Sequence, residues 1–296
     1  MSWSYAWQKA VILAFSRLPL GVLYFLADVV SAVNYYLVGY RRQVVRENLR
    51  RSFPHRSEAE LRRIEKAFYH YLSEQLVETF KTFSMTEADI NQRVKVLNPE
   101  LMNAIYDNGQ HVVHLLGHHA NWEWYAKALA LHTRHWLFFV YKPLRNKGFD
   151  RLMREMREKF GIKAVAMKQV FSTIAAHPQP PHASFFGGDQ SPMAHNRFIW
   201  IPFMHQNTAV YLGAEDLAKK YNAAVVYGSM RRVKRGYYTI ELELITDEPA
   251  HTSFGEITRK HTAALERLLE VQPEYWLWSH RRWKLNPEKH PGHAPE

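Results

Sequence analysis

From Ala10 to Val38 the chain reads AVILAFSRLPLGVLYFLADVVSAVNYYLV, an apolar stretch interrupted only by Arg17, Pro19, Asp28 and Asn34. This stretch constrains the fold most, because so much apolar surface must be covered either by protein or by lipid. A clean spanning helix needs about 20 predominantly apolar residues with few or no charges, and Arg17 and Asp28 leave shorter uncharged runs. The opening MSWSYAWQKA lacks the basic start of a secretory signal, and no small-residue cleavage site follows. The pattern predicts a membrane-embedded or interfacial helical hairpin, with Trp3, Tyr5 and Trp7 as interface anchors. The alternative is a pair of buried helices in a soluble protein. Arg41, Arg42, Arg46, Arg50 and Arg51 come next, and basic residues beside an apolar segment favour the cytoplasmic side and its anionic head groups.

Charge and cysteine content narrow the chemistry. The 296 residues carry 39 Lys+Arg against 28 Asp+Glu, a net charge of +11, and no Cys. Without Cys there are no disulfides, thiolate metal sites or cysteine nucleophiles. Apolar residues at 47% and aromatics at 14% exclude an intrinsically disordered chain. The positive excess points to acidic partners: phosphorylated lipid, anionic membrane, nucleic acid or an acidic carrier protein.

Beyond residue 56 the pattern is that of a layered domain. Ser57 and Glu60 have capping-box spacing, and Leu61, Ile64, Phe68, Tyr71, Leu72, Leu76 and Phe80 recur at helical spacing, predicting a core helix from Ser57 to Lys81. Val112 to Leu116, Trp136 to Tyr141 and Ala183 to Phe186 read as buried strands, with helices over Trp122 to Leu131 and Phe149 to Phe160 between them. Ala223 to Val233 and Tyr237 to Ile245 read as two strands joined at Lys234-Arg235-Gly236. In the second, Ile240, Leu242 and Leu244 face one way and Thr239, Glu241 and Glu243 the other. Such alternation predicts an α/β fold with a mixed, largely parallel sheet flanked by helices. Asn286 to Glu296, rich in Pro and His, reads as a flexible tail.

The stretch VVHLLGHHANWEW, Val112 to Trp124, carries the most chemistry. A buried strand ends at Gly117, two histidines follow, and Asn121 opens a helix as its N-cap, with Glu123 in the first turn. On one continuous helix His118 and Glu123 would lie about 140° apart, so they meet only if the chain bends between them. An imidazole held by a carboxylate is a general base. The nucleophile-elbow and phosphate-loop motifs are absent, so the base would act on the substrate's own hydroxyl. That logic suits direct acyl transfer from a thioester to an alcohol. His119 is a competing base, His114 reads as a structural strand histidine, and a zinc site from all three is the remaining option.

Five ordered blocks carry a resemblance: VVRENLRRSFP (Val44 to Pro54), GHHANWEW (Gly117 to Trp124), YKPLRNKGFDRLMREMREKFG (Tyr141 to Gly161), GGDQSP (Gly187 to Pro192) and PEYWLWSHRRWK (Pro273 to Lys284). In these the chain resembles the bacterial lipid A biosynthesis acyltransferases, the late lauroyl/myristoyl transferases of the lysophospholipid acyltransferase superfamily, in the form found in Bacteroidetes-type bacteria. The resemblance implies anchoring helices over residues 1–40, a glycerolipid-acyltransferase-like α/β domain over 41–285 and the tail beyond. It implies transfer of a fatty acyl chain from acyl-carrier protein to a hydroxyl of a phosphorylated lipid A precursor, at the cytoplasmic face of an anionic inner membrane. His118 would be the general base and Glu123 its orienting partner. Arg157 would bind phosphate or the developing oxyanion, and Asn121, Asp189 and Gln190 would line the substrate site. No metal or organic cofactor is implied, and nucleic acid is set aside for want of a recognisable module. The loop from Ser191 to Arg197 departs from enterobacterial members, which leaves the acceptor open to an aminolipid or lysophospholipid. A non-catalytic protein that binds anionic lipid is the alternative of a different class.

Overall fold

The computed structural model describes residues 3–293, with side-chain surroundings from residue 5 onward. The strands are β1 (Val94–Val96), β2 (Val112–Leu116), β3 (Trp136–Tyr141), β4 (Lys163–Ala166), β5 (His182–Gly187), β6 (Phe198–Phe203), β7 (Gln206–Tyr211), β8 (Ala224–Lys234) and β9 (Tyr237–Thr246). Seven form one sheet in the order β1-β9-β8-β2-β5-β3-β4, and β6 and β7 pair separately. Every neighbour in the large sheet is parallel except β8 and β9. The first helices are α1 (Trp3–Arg17), α2 (Leu20–Val33), α3 (Arg42–Ser52), α4 (Glu58–Lys81), α5 (Glu87–Arg93) and α6 (Glu100–Asp107). The rest are α7 (Trp122–His132), α8 (Lys147–Arg157), α9 (Val170–Ala175), α10 (Gly213–Tyr221) and α11 (Glu256–Val271). This is the α/β layering that the alternation predicts.

Strand β2 sits mid-sheet and is buried at all five positions. Its side chains alternate between two cores. Val113 and Leu115 pack with Ile64 and Phe68 of α4 and Leu265 and Leu269 of α11. Val112 and Leu116 face Trp124, Tyr125 and Leu129 of α7. Both bonds of the Ser57–Glu60 capping box are present at the start of α4. The apolar stripe that follows is buried through Tyr71, but Leu76 is 50% exposed. The buried face instead takes in Glu65, Glu74 and Glu78, each matched by a partner from another element.

Two local departures from the predicted pattern have clear causes. Leu244 is exposed and Ile245 buried, because a register shift pairs Val225 with Thr246 and Val226 with Leu244, reversing the alternation. The β6–β7 hairpin turns at Met204 and His205, both with positive φ (50° and 58°). Such turns favour Asn-Gly, so Met-His gives no sequence signal.

The apolar N-terminal stretch folds as two helices broken at Pro19. From Leu20 to Val38 the second runs unbroken through a π-helical end, long and apolar enough by length and composition to cross a membrane. Its inner face, Leu23, Tyr24, Ala27 and Ser31, is buried, Leu23 and Tyr24 alongside Val77 of α4. Asp28 is not loose in the apolar run: it pairs with His70 and Arg235. The outer face leaves Phe25, Val29, Val30 and Val33 exposed. Trp7 is also exposed, whereas Tyr5 is buried and donates to Glu155 of α8 (2.6 Å), so it anchors α1 to the domain rather than to an interface. The Trp3 side chain lies outside the described residues.

The segment after Asn286 is tied down as far as His293. Trp200 Nε1 donates to the His290 carbonyl (2.8 Å), and the His293 N–H donates to the Phe198 carbonyl (2.9 Å). It follows β6 because that strand's other edge is taken by β7 and its free edge needs partners.

Candidate active site

Sheet register assembles the site. β2 and β5 are parallel neighbours with Leu116 opposite Gly187. The chain leaves both at the same carboxyl edge, so Gly117-His118 and Gly188-Asp189 emerge side by side, where ligands bind in open α/β sheets.

His118 Nδ1 meets Asp189 Oδ1 at 2.5 Å. The other carboxylate oxygen accepts the His118 backbone N–H (2.7 Å) and the Trp276 indole N–H (2.6 Å). These charge-assisted bonds fix the Asp189 side chain, only 3% exposed, and hold the imidazole with Nδ1–H toward the carboxylate. Nε2 then carries the lone pair, and the Gln190 amide faces it at 3.3 Å. Burial pulls the His118 pKa down, but the Asp189 carboxylate outweighs it, with a smaller push from Glu123, and the pKa is raised. Burial alone would raise the Asp189 carboxyl, yet His118 and the indole hold it well below the usual carboxylate range. The His118 side chain is 22% exposed, open enough to meet a substrate.

Glu123 does not orient His118. The bend at Ala120 (φ 53°) starts α7 at Trp122, and Glu123 points across to α8. There it accepts from Arg157 Nη2 (2.6 Å) and Nε (3.1 Å). Arg157 also lies over the Phe139 and Tyr141 rings, and Lys127 Nζ donates to its carbonyl. The pair therefore flanks the dyad without joining it. The Asn121 side chain is likewise engaged within the protein: it is fully buried, caps α7 through Trp124 N–H (3.0 Å) and donates to Glu78 Oε2 (2.6 Å). Glu78 also accepts from Tyr24 of α2 and Tyr238 of β9, both at 2.7 Å, so one buried carboxylate links the apolar helix, the sheet and the site helix. Burial raises its pKa against those donors.

The other histidines are structural. His114 bonds the Tyr125 hydroxyl (2.6 Å), and burial pulls its pKa to about 3. His119 lies between the Met230 and Gln272 carbonyls, with its pKa pulled to about 4 by burial, so the ring is neutral and donates to one of them. The three therefore do not converge on a metal. Among the described residues one group has metal-ligand spacing, Asp28, His70 and Glu74, and its carboxylates are paired with Arg232 and Arg235. Those two arginines are thus taken up by partners within the protein.

Gly187 gives the imidazole its space. A Cβ there would stand 2.5 Å from His118 Cε1, in a ring that Asp189 pins. We expect Gly187→Ala to displace the ring and cost about 10²-fold in turnover with the melting temperature little changed, as a misplacement of about 1 Å does.

All five sequence blocks meet here. Asn48, from the first, donates to the Trp278 and His280 carbonyls at 2.8 and 3.0 Å, fastening the last block over the loop that carries His118. No curated protein matches the chain in a sequence comparison. The family model for bacterial lipid A biosynthesis acyltransferases matches residues 2–285. With the blocks converging on one crevice and the match spanning nearly the whole chain, the protein belongs to the bacterial lipid A biosynthesis acyltransferase family.

Proposed function

We propose that the protein transfers a fatty acyl chain from acyl-carrier protein to a hydroxyl of a phosphorylated lipid A precursor, with His118 as general base. The observation that carries this reading is the His118–Asp189 bond, which leaves Nε2 as an acceptor at the open mouth of the crevice. The acceptor hydroxyl takes the place of Gln190 at Nε2, gives up its proton and attacks the thioester carbonyl. The tetrahedral intermediate then collapses with loss of the carrier thiolate, and the proton on His118 passes to that leaving group. No acyl-enzyme forms. Arg157, with Nη1 free of hydrogen bonds to the described residues, binds a phosphate or the oxyanion.

The base must be neutral to act, and its pKa is raised. Turnover is therefore full above that pKa and falls as the pH drops through it, so the acid limb of kcat/KM lies above the unperturbed value of about 6.5. A limb below that value would contradict the pairing.

The protein rests on the cytoplasmic face of the inner membrane, its outer α2 face in the lipid and Arg50 and Arg51 near the head groups. Phe25→Asp should lower binding to anionic vesicles by roughly 10- to 100-fold, since burying one Phe contributes about 1.5–3 kcal/mol. Unchanged binding would remove α2 from the interface. The acceptor is tested by supplying acyl-carrier thioester with a phosphorylated lipid A precursor, a lysophospholipid or an aminolipid. Acylation of the first supports the reading; acylation of only the others reassigns the acceptor. Thioester that survives all three favours a lipid-binding protein.

A further inference from the structure

Against Asp189 lies a cavity of about 10 Å³, room for a single water, whose lining does not include His118. Its lining includes Asp189, Tyr227, His261, Thr262 and Arg282. Arg282 is 3% exposed, and its Nη1 donates to the Ala209 carbonyl (2.8 Å). Among the described residues its Nε has no hydrogen-bond partner. A buried guanidinium with an unspent donor needs a reason, because an unpaired buried charge costs several kcal/mol.

The charges around the dyad supply that reason. The ionisable groups facing it are Glu123 on α7, Arg157 on α8, His119 in the β2–α7 loop, Tyr227 on β8, His261 on α11, and His280 and Arg282 in the last block. Burial pulls His119, His261 and His280 each to about 4, so all three are neutral at working pH. Burial pushes the Tyr227 hydroxyl up, so it is neutral as well. Arg157 is neutralised by Glu123. Arg282, pushed down by burial only to about 10, stays cationic, and the Asp189 carboxylate favours its charged form.

We infer that Arg282 is a positioning residue for the dyad: a buried cation that acts on His118 through Asp189, across the small cavity, and sets the pH at which the base is free. This rests on His118 being the base. The sign follows from charge alone. Removing a cation makes proton uptake by the His118–Asp189 pair easier, so the pair is protonated at higher pH. A group that merely packs would lower activity or stability without moving that midpoint.

The test compares wild type with Arg282→Gln, Arg282→Met and Arg282→Lys, each as the full chain in detergent. Two readouts are taken: the acid limb of kcat/KM and the imidazole titration of His118 by NMR. Folding is checked by circular dichroism. In the neutral variants both midpoints should rise by about 0.5–1 pH unit, while Arg282→Lys stays within about 0.3 unit of wild type. A folded neutral variant with both midpoints unmoved overturns the inference. If no neutral variant folds, Arg282→Lys decides. Folding with a retained limb supports the role, and a displaced limb or failure to fold overturns it. The general-base reading fails separately, when the wild-type limb does not coincide with the His118 titration.

Discussion

Asp189→Asn should abolish most of the acyl transfer that His118→Ala abolishes, each by about two to four orders of magnitude, the range for a positioned acid–base group. The two losses should not add, because the residues act as one unit. The carboxylate accepts Nδ1–H and fixes the loop through the His118 N–H, and in the proposed mechanism it also balances the imidazolium that forms when the acceptor proton is taken. Asn keeps the shape but loses the charge, and its amide can donate to Nδ1 and put the proton on Nε2, where the acceptor hydroxyl must arrive. Circular dichroism should show an unchanged fold. Near-normal acylation by folded Asp189→Asn would remove Asp189 from the mechanism while leaving His118 in question separately.

The second large effect is at the flanking pair. Glu123→Gln leaves the Arg157 guanidinium, 16% exposed, without its counter-charge. Breaking such a pair by removing one partner costs about 3 kcal/mol, read as a fall of roughly 5 °C in melting temperature. Acylation should fall as well, because Arg157 is then free to turn from the crevice. Glu123→Gln combined with Arg157→Met removes both charges and should recover much of the stability. It should not recover acylation, since losing an oxyanion or phosphate donor costs about 10²–10³-fold. If the double variant recovers both, Arg157 has no part in binding and the pair is structural. Differential scanning fluorimetry and a carrier-thioester assay separate the two outcomes.

The contrast between these residues marks what the sequence made legible. The strand–Gly–His–helix signal placed His118 at a strand end and Asn121 as the helix cap, and the structure has both there, because both depend on a few adjacent residues. The partner of His118 does not. Asp189 lies 71 residues on, and only the parallel register of β2 against β5 brings it to Nδ1. Glu123, five residues away, looked closer and was the natural choice from sequence. A hint was present: Gly117 and Gly187-Gly188 each end a buried apolar strand just before a polar residue, the pattern of two strand ends opening on one crevice. Helix α4 shows the same limit. Its stripe of apolar residues was readable, but the buried Glu65, Glu74 and Glu78 were not, because their partners come from α3, β8, β9 and the apolar helix α2. The arginines divide for the same reason. Arg282 is buried and Arg232 and Arg235 are partly buried, each held by a partner distant in sequence, while Arg50 and Arg51 stay on the surface.

A quenched single-turnover reaction tests the account most directly. Wild-type protein is mixed with acyl-carrier protein bearing a labelled acyl chain and a phosphorylated lipid A precursor. Lipid and intact protein are then followed by mass spectrometry. Each thioester lost should appear as one acyl group on the precursor at the same rate, the protein mass should never change, and thioester should be stable without acceptor. A labelled acyl group on the protein, or thioester consumed before the acceptor is added, would contradict it.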